Sequence, residues 1–208
     1  MLMSGMAFPL VVSFYTLDTL YQLEVQNLIE SCKKFNIEYE IEGIDSLGTW
    51  ELNCAYKPFF LFEKLQKYRR PVLWVDADAI FVQKPQILDV FAADLSAYIT
   101  PGLADDHRSK VRSGTVYINA TDNGARLVRA WALECQREMT NPERTVEFWD
   151  QMALSRIMAA QKGKADIRSL PLEYVKIFDH PEDNRQVLNP VITHSQASRR
   201  FKNITNES

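Results

Sequence analysis

Two acids, Asp76 and Asp78, stand two residues apart inside "PVLWVDADAIFVQKP", residues 71–85. The surrounding run is apolar, and a buried carboxylate is costly unless something compensates it. On a strand, residues i and i+2 point the same way; where the strand ends in a turn, they can grip one ion between them. Paired hard oxygen ligands suit Mg²⁺ or Mn²⁺, and the usual partner of such an ion is a diphosphate. A surface turn with two solvated acids is the plainer alternative, but solvated turns seldom interrupt so apolar a run.

The elements that must position this pair follow from the alternation of strand and helix patterns, which predicts an α/β fold with a mixed, mainly parallel central sheet flanked by helices. Residues 8–15 read as the first strand. Asp18 or Thr19 can cap a helix to about Phe35, with Val25, Leu28, Ile29, Cys32 and Phe35 inward. "IEYEIEGI" alternates as a second strand, and Pro58 suits the first turn of a helix over "KPFFLFEKLQKY". "VLWVDADAIFV" is too apolar on both faces for an edge strand. A short helix is expected over 86–93, then a strand "LSAYIT", a polar loop over 101–112 and a strand "SGTVYINA". Asp122 is expected to cap a helix to about Met139, with Leu127, Val128, Trp131 and Cys135 inward. A further helix spans about Val146 to Ala160, short strands lie near 166–170 and 174–178, and the tail starts extended at "VITH" and ends polar.

With 208 residues, 46% hydrophobic and 25% charged, the chain suits one domain over 1–208 with an ordinary core, its last residues, 203–208, open to disorder. A formal net charge of −3 argues against a general nucleic-acid surface. No apolar run approaches the roughly 20 residues of a transmembrane helix, and the start lacks the basic region and cleavage site of a signal peptide. Three cysteines without metal-type spacing fit reduced thiols and a cytoplasmic protein. Oligomeric state is not legible.

In open α/β sheets, ligands sit at the carboxyl ends of strands, where "VLWV" delivers Asp76. Two chemistries use an acid pair there. In one, Asp-x-Asp holds a metal on the diphosphate of a nucleotide sugar. In the other, a haloacid-dehalogenase-type phosphatase, the first Asp is a nucleophile and the second a general acid/base. Three features oppose the phosphatase: its motif normally lies on the first strand, its fifth position is usually Thr or Val where this chain has Ile80, and the later acids Asp105 and Asp106 sit in a polar loop. A non-catalytic module binding a nucleotide or glycan is a third reading.

Six segments in order decide between them: "SFYTLDT", "LGTWELNCAYKPFFL", "VLWVDADAIFV", "SGTVYINA", "EFWDQMAL" and "VITHSQASRR". The series, over about residues 8–202, resembles the nucleotide-diphospho-sugar transferases of the GT-A fold. It looks closest to their retaining, galactosyltransferase-like branch with its bacterial and viral relatives. The resemblance implies a metal-dependent transfer of a hexose from a UDP-sugar to an acceptor hydroxyl in glycan synthesis, with retention. It implies Mn²⁺ (or Mg²⁺) held by Asp76, Asp78 and His194, since imidazole suits Mn²⁺ better than Mg²⁺.

For the donor, the resemblance implies that Tyr15 stacks on the base and Thr16 hydrogen-bonds it. Lys57, at the start of a helix whose N-terminus assists it, reaches the diphosphate or sugar. Asn53, on the same connecting loop, and Ala77, between the acids, join these contacts. Ser113 and Gly114 lay backbone beside the sugar, and Asn119 closes their strand in a structural role. Asp150 and Gln151 form an acid-amide pair near the reacting carbon; Asp150 and Lys57 are the candidate catalytic residues. Arg199 or Arg200 stands where the family has a Lys in a His-x-x-Gly-x-x-Lys-type signature, from which "HSQASRR" departs. His107 and His180 receive no role, although His107, Arg108, Lys110 and Arg112 are suited to a flap over donor or acceptor. The acceptor itself, whether glycan, protein or lipid-linked, is not identified.

Overall fold

The computed structural model describes residues 8–199, so Arg200 and the tail over 203–208 lie outside the described residues. In chain order the elements are β1 (Leu10–Thr16), α1 (Tyr21–Phe35), β2 (Tyr39–Ile44), α2 (Trp50–Tyr68), β3 (Val72–Val75), β4 (Ala79–Phe81), β5 (Leu95–Ile99), β6 (Val111–Ile118), α3 (Asp122–Met139), α4 (Asp150–Ala160), β7 (Ile167–Ser169), β8 (Lys176–Ile177), α5 (Pro181–Gln186) and β9 (Ile192–His194). Six strands form the central sheet in the order β2-β1-β3-β6-β5-β7, and three form a small sheet, β4-β9-β8. The central sheet is mixed: β2, β1 and β3 run parallel, β6 opposes both β3 and β5, and β7 runs parallel to β5.

Strands buried on both faces divide the core in two. Leu10, Val12 and Phe14 of β1, with Val72, Trp74, Val116 and Ile118, pack beneath α2, α3 and α4. Val11, Leu73, Val75 and Tyr117 point the other way, toward α1 and the small sheet. The period-2 alternation of each strand therefore serves both layers. No described helix is long and apolar enough to cross a membrane.

Several local expectations are corrected. "VLWVDADAIFV" is two strands in two sheets, because Asp76–Ala79 turns, with the Ala79 N–H donating to the Asp76 carbonyl at 3.0 Å. The α2 helix starts at Trp50, well before Pro58. Thr49 Oγ1 caps it by accepting from the Leu52 N–H at 3.1 Å, and Pro58 lies inside it. The proline lacks only the N–H that would have faced the Cys54 carbonyl. Thr121, not Asp122, caps α3, accepting from the Gly124 N–H at 2.9 Å.

Neither expected cap begins α1. Asp18 is in the left-handed region at φ 55°, and Leu20 precedes the helix without a side-chain cap. α4 begins at Asp150 rather than Val146 because Glu51 holds the preceding segment, accepting from Arg144 (2.9 Å to each oxygen) and from the Phe148 N–H (2.8 Å). β6 starts two residues before Ser113, and the helix expected over 86–93 is a single 3₁₀ turn, Asp89–Ala92.

One buried ion pair ties the carboxyl side of the sheet together. Arg112 of β6 donates to both oxygens of Asp183 in α5, at 2.5 and 2.9 Å, and the Ile177 N–H of β8 donates to the same carboxylate at 2.8 Å. Burial works against ionising Asp183, yet the hydrogen bonds from Arg112 and Ile177 hold its pKa below the usual carboxylate value. A folded-state pKa below the unfolded one gives stability that is complete above about pH 4 and lost as pH falls through the folded value. Asp183→Asn is expected to cost about 3–5 kcal/mol, since it leaves Arg112 without its counter-charge. Urea unfolding at pH 7 measures this, and the wild-type advantage should shrink on acidification below about pH 4.

Candidate functional site

A cavity of about 530 Å³ opens at the carboxyl ends of β1 and β3, the position favoured for ligands in open α/β sheets. The described residues expected at the site, Tyr15, Thr16, Asn53, Lys57, Asp76, Ala77, Asp78, Ser113, Gly114, Asp150, Gln151, His194 and Arg199, all line it. Segments from six separated parts of the chain therefore meet in one space.

Asp76 and Asp78 occupy the turn by which the chain leaves β3 for the small sheet. In that sheet Ala79 of β4 pairs with His194 of β9, so the register of two short strands sets the histidine beside the acids. Ligand atoms of Asp76, Asp78 and His194 lie within 4.8 Å of one another. Gly114 permits this approach. A Cβ there would stand 3.0 and 3.1 Å from the His194 Cε1 and Nδ1, and 3.3 Å from Asp76 Oδ2. Its backbone carbonyl also accepts from the Asp76 N–H at 2.9 Å.

The hydrogen-bond network assigns the histidine tautomer. Thr115 Oγ1 spends its proton on the Tyr174 carbonyl at 2.8 Å and so accepts from His194 Nε2 at 3.0 Å. Nδ1 is left with its lone pair. Burial pushes the His194 pKa down to about 4, which keeps the ring neutral near pH 7. Asp76 Oδ1 takes the Trp74 indole N–H at 2.6 Å and the Lys57 ammonium at 3.0 Å, so Oδ2 is the oxygen near Gly114. Asp78 Oδ2 accepts the Ala197 N–H at 2.7 Å. Burial first, and then the charge of Asp76, push the Asp78 pKa up to about 6. Two carboxylates and a neutral imidazole with an available nitrogen form a donor set that fits Mn²⁺ or Mg²⁺.

Lys57 is placed differently from the expectation. It lies two turns inside α2 and is buried, so the helix N-terminus does not assist it. Its ammonium meets Asp76 at 3.0 Å, Asp150 at 3.2 Å, and the Ser113 carbonyl and hydroxyl at 3.2 and 3.4 Å. Burial opposes the charge, but Asp150 and Asp76 more than offset it, and the Lys57 pKa rises above its ordinary value. Asp150 is the first residue of α4, buried; burial raises its pKa while Lys57 works against the rise. The cation thus couples a metal-site carboxylate to the candidate catalytic one.

Asn53 also sits in α2 and not on a loop, where its Oδ1 accepts the Leu47 N–H at 2.8 Å. Gln151 Nε2 donates to the Arg108 carbonyl at 2.9 Å, and Arg199 pairs with Asp179 at 3.6 Å. His180, given no role from sequence, lines the cavity and caps α5 through Nδ1. Sequence reasoning also missed Tyr21, Trp50, Trp74 and Trp149 as wall residues. For Trp74 a signal existed, because i and i+2 on a strand share a face and Trp74 precedes Asp76 by two.

The family model of the nucleotide-diphospho-sugar transferases matches residues 59–200. The chain belongs to that family. The matched span holds Asp76, Asp78, Ser113, Gly114, Asp150, Gln151 and His194, while Tyr15, Thr16, Asn53 and Lys57 precede it. Membership makes the chain a glycosyltransferase using a nucleotide-sugar donor, and the phosphatase reading falls. The crystal structure of a glycosyltransferase involved in the glycosylation of the major capsid of PBCV-1 is similar to this transferase with a TM-score of 0.69 at 12% identity, over 97% of this chain and 100% of the other. At that identity the likeness speaks for the GT-A fold alone. No curated protein matches the chain.

The tautomer assignment gives a direct test. Thr115→Val removes the acceptor for His194 Nε2 and is expected to weaken Mn²⁺ binding roughly 10–100-fold in the presence of UDP, while Thr115→Ser retains it. Electron paramagnetic resonance of free Mn²⁺ measures the difference.

Proposed function

We propose that the protein moves a hexose from a UDP-sugar to an acceptor hydroxyl, depends on Mn²⁺, and retains the anomeric configuration. The observation supporting this is the meeting, in one cavity, of the Asp76–Asp78–His194 set with the buried Lys57–Asp150 pair. Asp76, Asp78 and His194 would hold the ion, whose chemistry when bound is Lewis-acid stabilisation of the departing diphosphate.

The protein's own groups do the rest. Tyr15 and Thr16 at the end of β1, with Tyr21 and Trp50, give the cavity an aromatic corner for a planar base. Ser113 and Gly114 offer backbone that a sugar can approach closely, and Gln151 lines the cavity beside them. As the bond from the anomeric carbon to the diphosphate oxygen breaks, its electron pair leaves with the diphosphate. The acceptor oxygen forms the new bond to the same carbon, and its hydroxyl proton passes to the departing diphosphate oxygen. Positive charge grows on the sugar at that moment, and Asp150, paired with Lys57, would face it. Asp150 would stabilise that charge without having to bond to it. Cys32, Cys54 and Cys135 form no disulfide, which suits a reducing, cytoplasmic setting.

Calorimetry with UDP, GDP and CMP, each with and without Mn²⁺, tests the donor and the metal together. UDP is expected to bind only with Mn²⁺, and Asp78→Ala to abolish that binding. Metal-independent binding, or no binding of any of the three, would sink the proposal. Proton NMR of the product reads retention from the anomeric coupling.

A further inference from the structure

Trp149 lines the cavity and is not used by the proposed transfer. It stands in extended conformation immediately before Asp150 and forms part of the wall near Thr100, Leu103 and Ser109. The guanidinium of Arg108 stacks on its ring, 3.7 Å from the centroid, although Arg108 does not itself line the cavity. One face of the indole is therefore covered by Arg108, while Trp149 itself lines the cavity. Gln151, on the other side of Asp150, fixes the brace by donating to the Arg108 carbonyl at 2.9 Å. Ser155 holds the same loop at the Asp105 carbonyl, 3.0 Å away. Among the described residues no carboxylate pairs with Arg108, so its side chain serves the ring.

The indole has a second peculiarity. Its Nε1 is buried with no hydrogen-bond partner among the described residues. Buried indole N–H groups normally find an acceptor, and no described residue supplies one here. A flat apolar face next to an unsatisfied donor matches a pyranose, which offers a face of C–H bonds rimmed by hydroxyl oxygens. A lipid tail would leave the donor unmet.

The position decides which sugar. The donor's diphosphate belongs beside Asp76, Asp78 and His194, with its sugar against Ser113, Gly114 and Asp150. Trp149 lies past Asp150, on the side of the 100–110 loop. We infer that Trp149, braced by Arg108, is the platform for the acceptor, and that the acceptor is a glycan whose terminal pyranose stacks on the indole. Because Nε1 is buried, a sugar hydroxyl meets it only if the 100–110 loop moves aside on binding. The inference rests on the transferase reading above.

The test uses the intrinsic fluorescence of the protein, which has four tryptophans. Protein saturated with UDP and Mn²⁺ is titrated with methyl glucopyranosides, galactopyranosides and mannopyranosides, and with a serine- and tyrosine-containing peptide. At least one pyranoside should give a saturable change. Trp149→Ala should weaken that binding about tenfold or more. Trp149→Phe, which keeps a ring but removes Nε1, should weaken it less and remove most of the spectral change. Arg108→Gln should weaken it while leaving the indole in place. Calorimetry of UDP with Mn²⁺ on the same samples separates the two claims. If UDP and Mn²⁺ bind but no pyranoside responds, or the response survives in Trp149→Ala, the platform is wrong and the transferase stands. Saturation by the peptide alone, or a Trp149 signal given only by UDP-glucose over UDP, also overturns it. If UDP with Mn²⁺ fails to bind the wild type, the transferase reading itself falls.

Discussion

More negative than positive charge is held at the floor of the cavity, and the rest of the structure answers to that imbalance. Asp76, Asp78 and Asp150 bring three carboxylates, and Lys57 brings one ammonium, a net of −2 if all are ionised. Burial makes such an excess costly, and the acids show it: Asp78 is pushed up to about 6 and Asp150 is raised as well. A divalent cation would bring the group to neutrality. Lys57 matters because it divides the acid oxygens into those it pairs with, on Asp150 and Asp76 Oδ1, and those that would be left to a metal.

Backbone devices make the crowding possible. The chain switches sheets between Val75 and Ala79, which presents two acids at a turn instead of along a strand. Two three-residue strands, β4 and β9, carry His194 to that turn through one register pair. Gly114 has no side chain where one would collide with the histidine. The length of α2 brings Lys57 in from the side, capped by Thr49 far from the charge cluster.

Much of this was legible in the sequence because it depends on residue type and local pattern. The acids stand out against an apolar run at a strand's carboxyl end, and the glycine, the acid-amide pair and the late histidine were joined to them by the resemblance of the ordered motif series. What was missed depends on distant partners. Pro58 looks like a helix start because prolines favour first turns, yet Thr49 and the turns before Pro58 extend the helix and carry Lys57 inside. A carboxyl group at Glu51, far from Arg144 in sequence, decides where α4 begins. Trp149 reads as an ordinary aromatic until the Arg108 stack and the orphaned indole nitrogen are seen together. No local window holds both residues of the Glu51–Arg144 or the Arg108–Trp149 contact.

The central claim is that the excess charge around Asp76 and Asp78 is a seat for a divalent ion. Crystals grown with UDP and MnCl₂, measured at the manganese absorption edge, test it most directly. One strong anomalous peak is expected, bounded by Asp76, Asp78 and His194 Nδ1, with the diphosphate on its open side. A nucleotide bound in the cavity with no peak at those three residues, or with the ion elsewhere, would contradict the account.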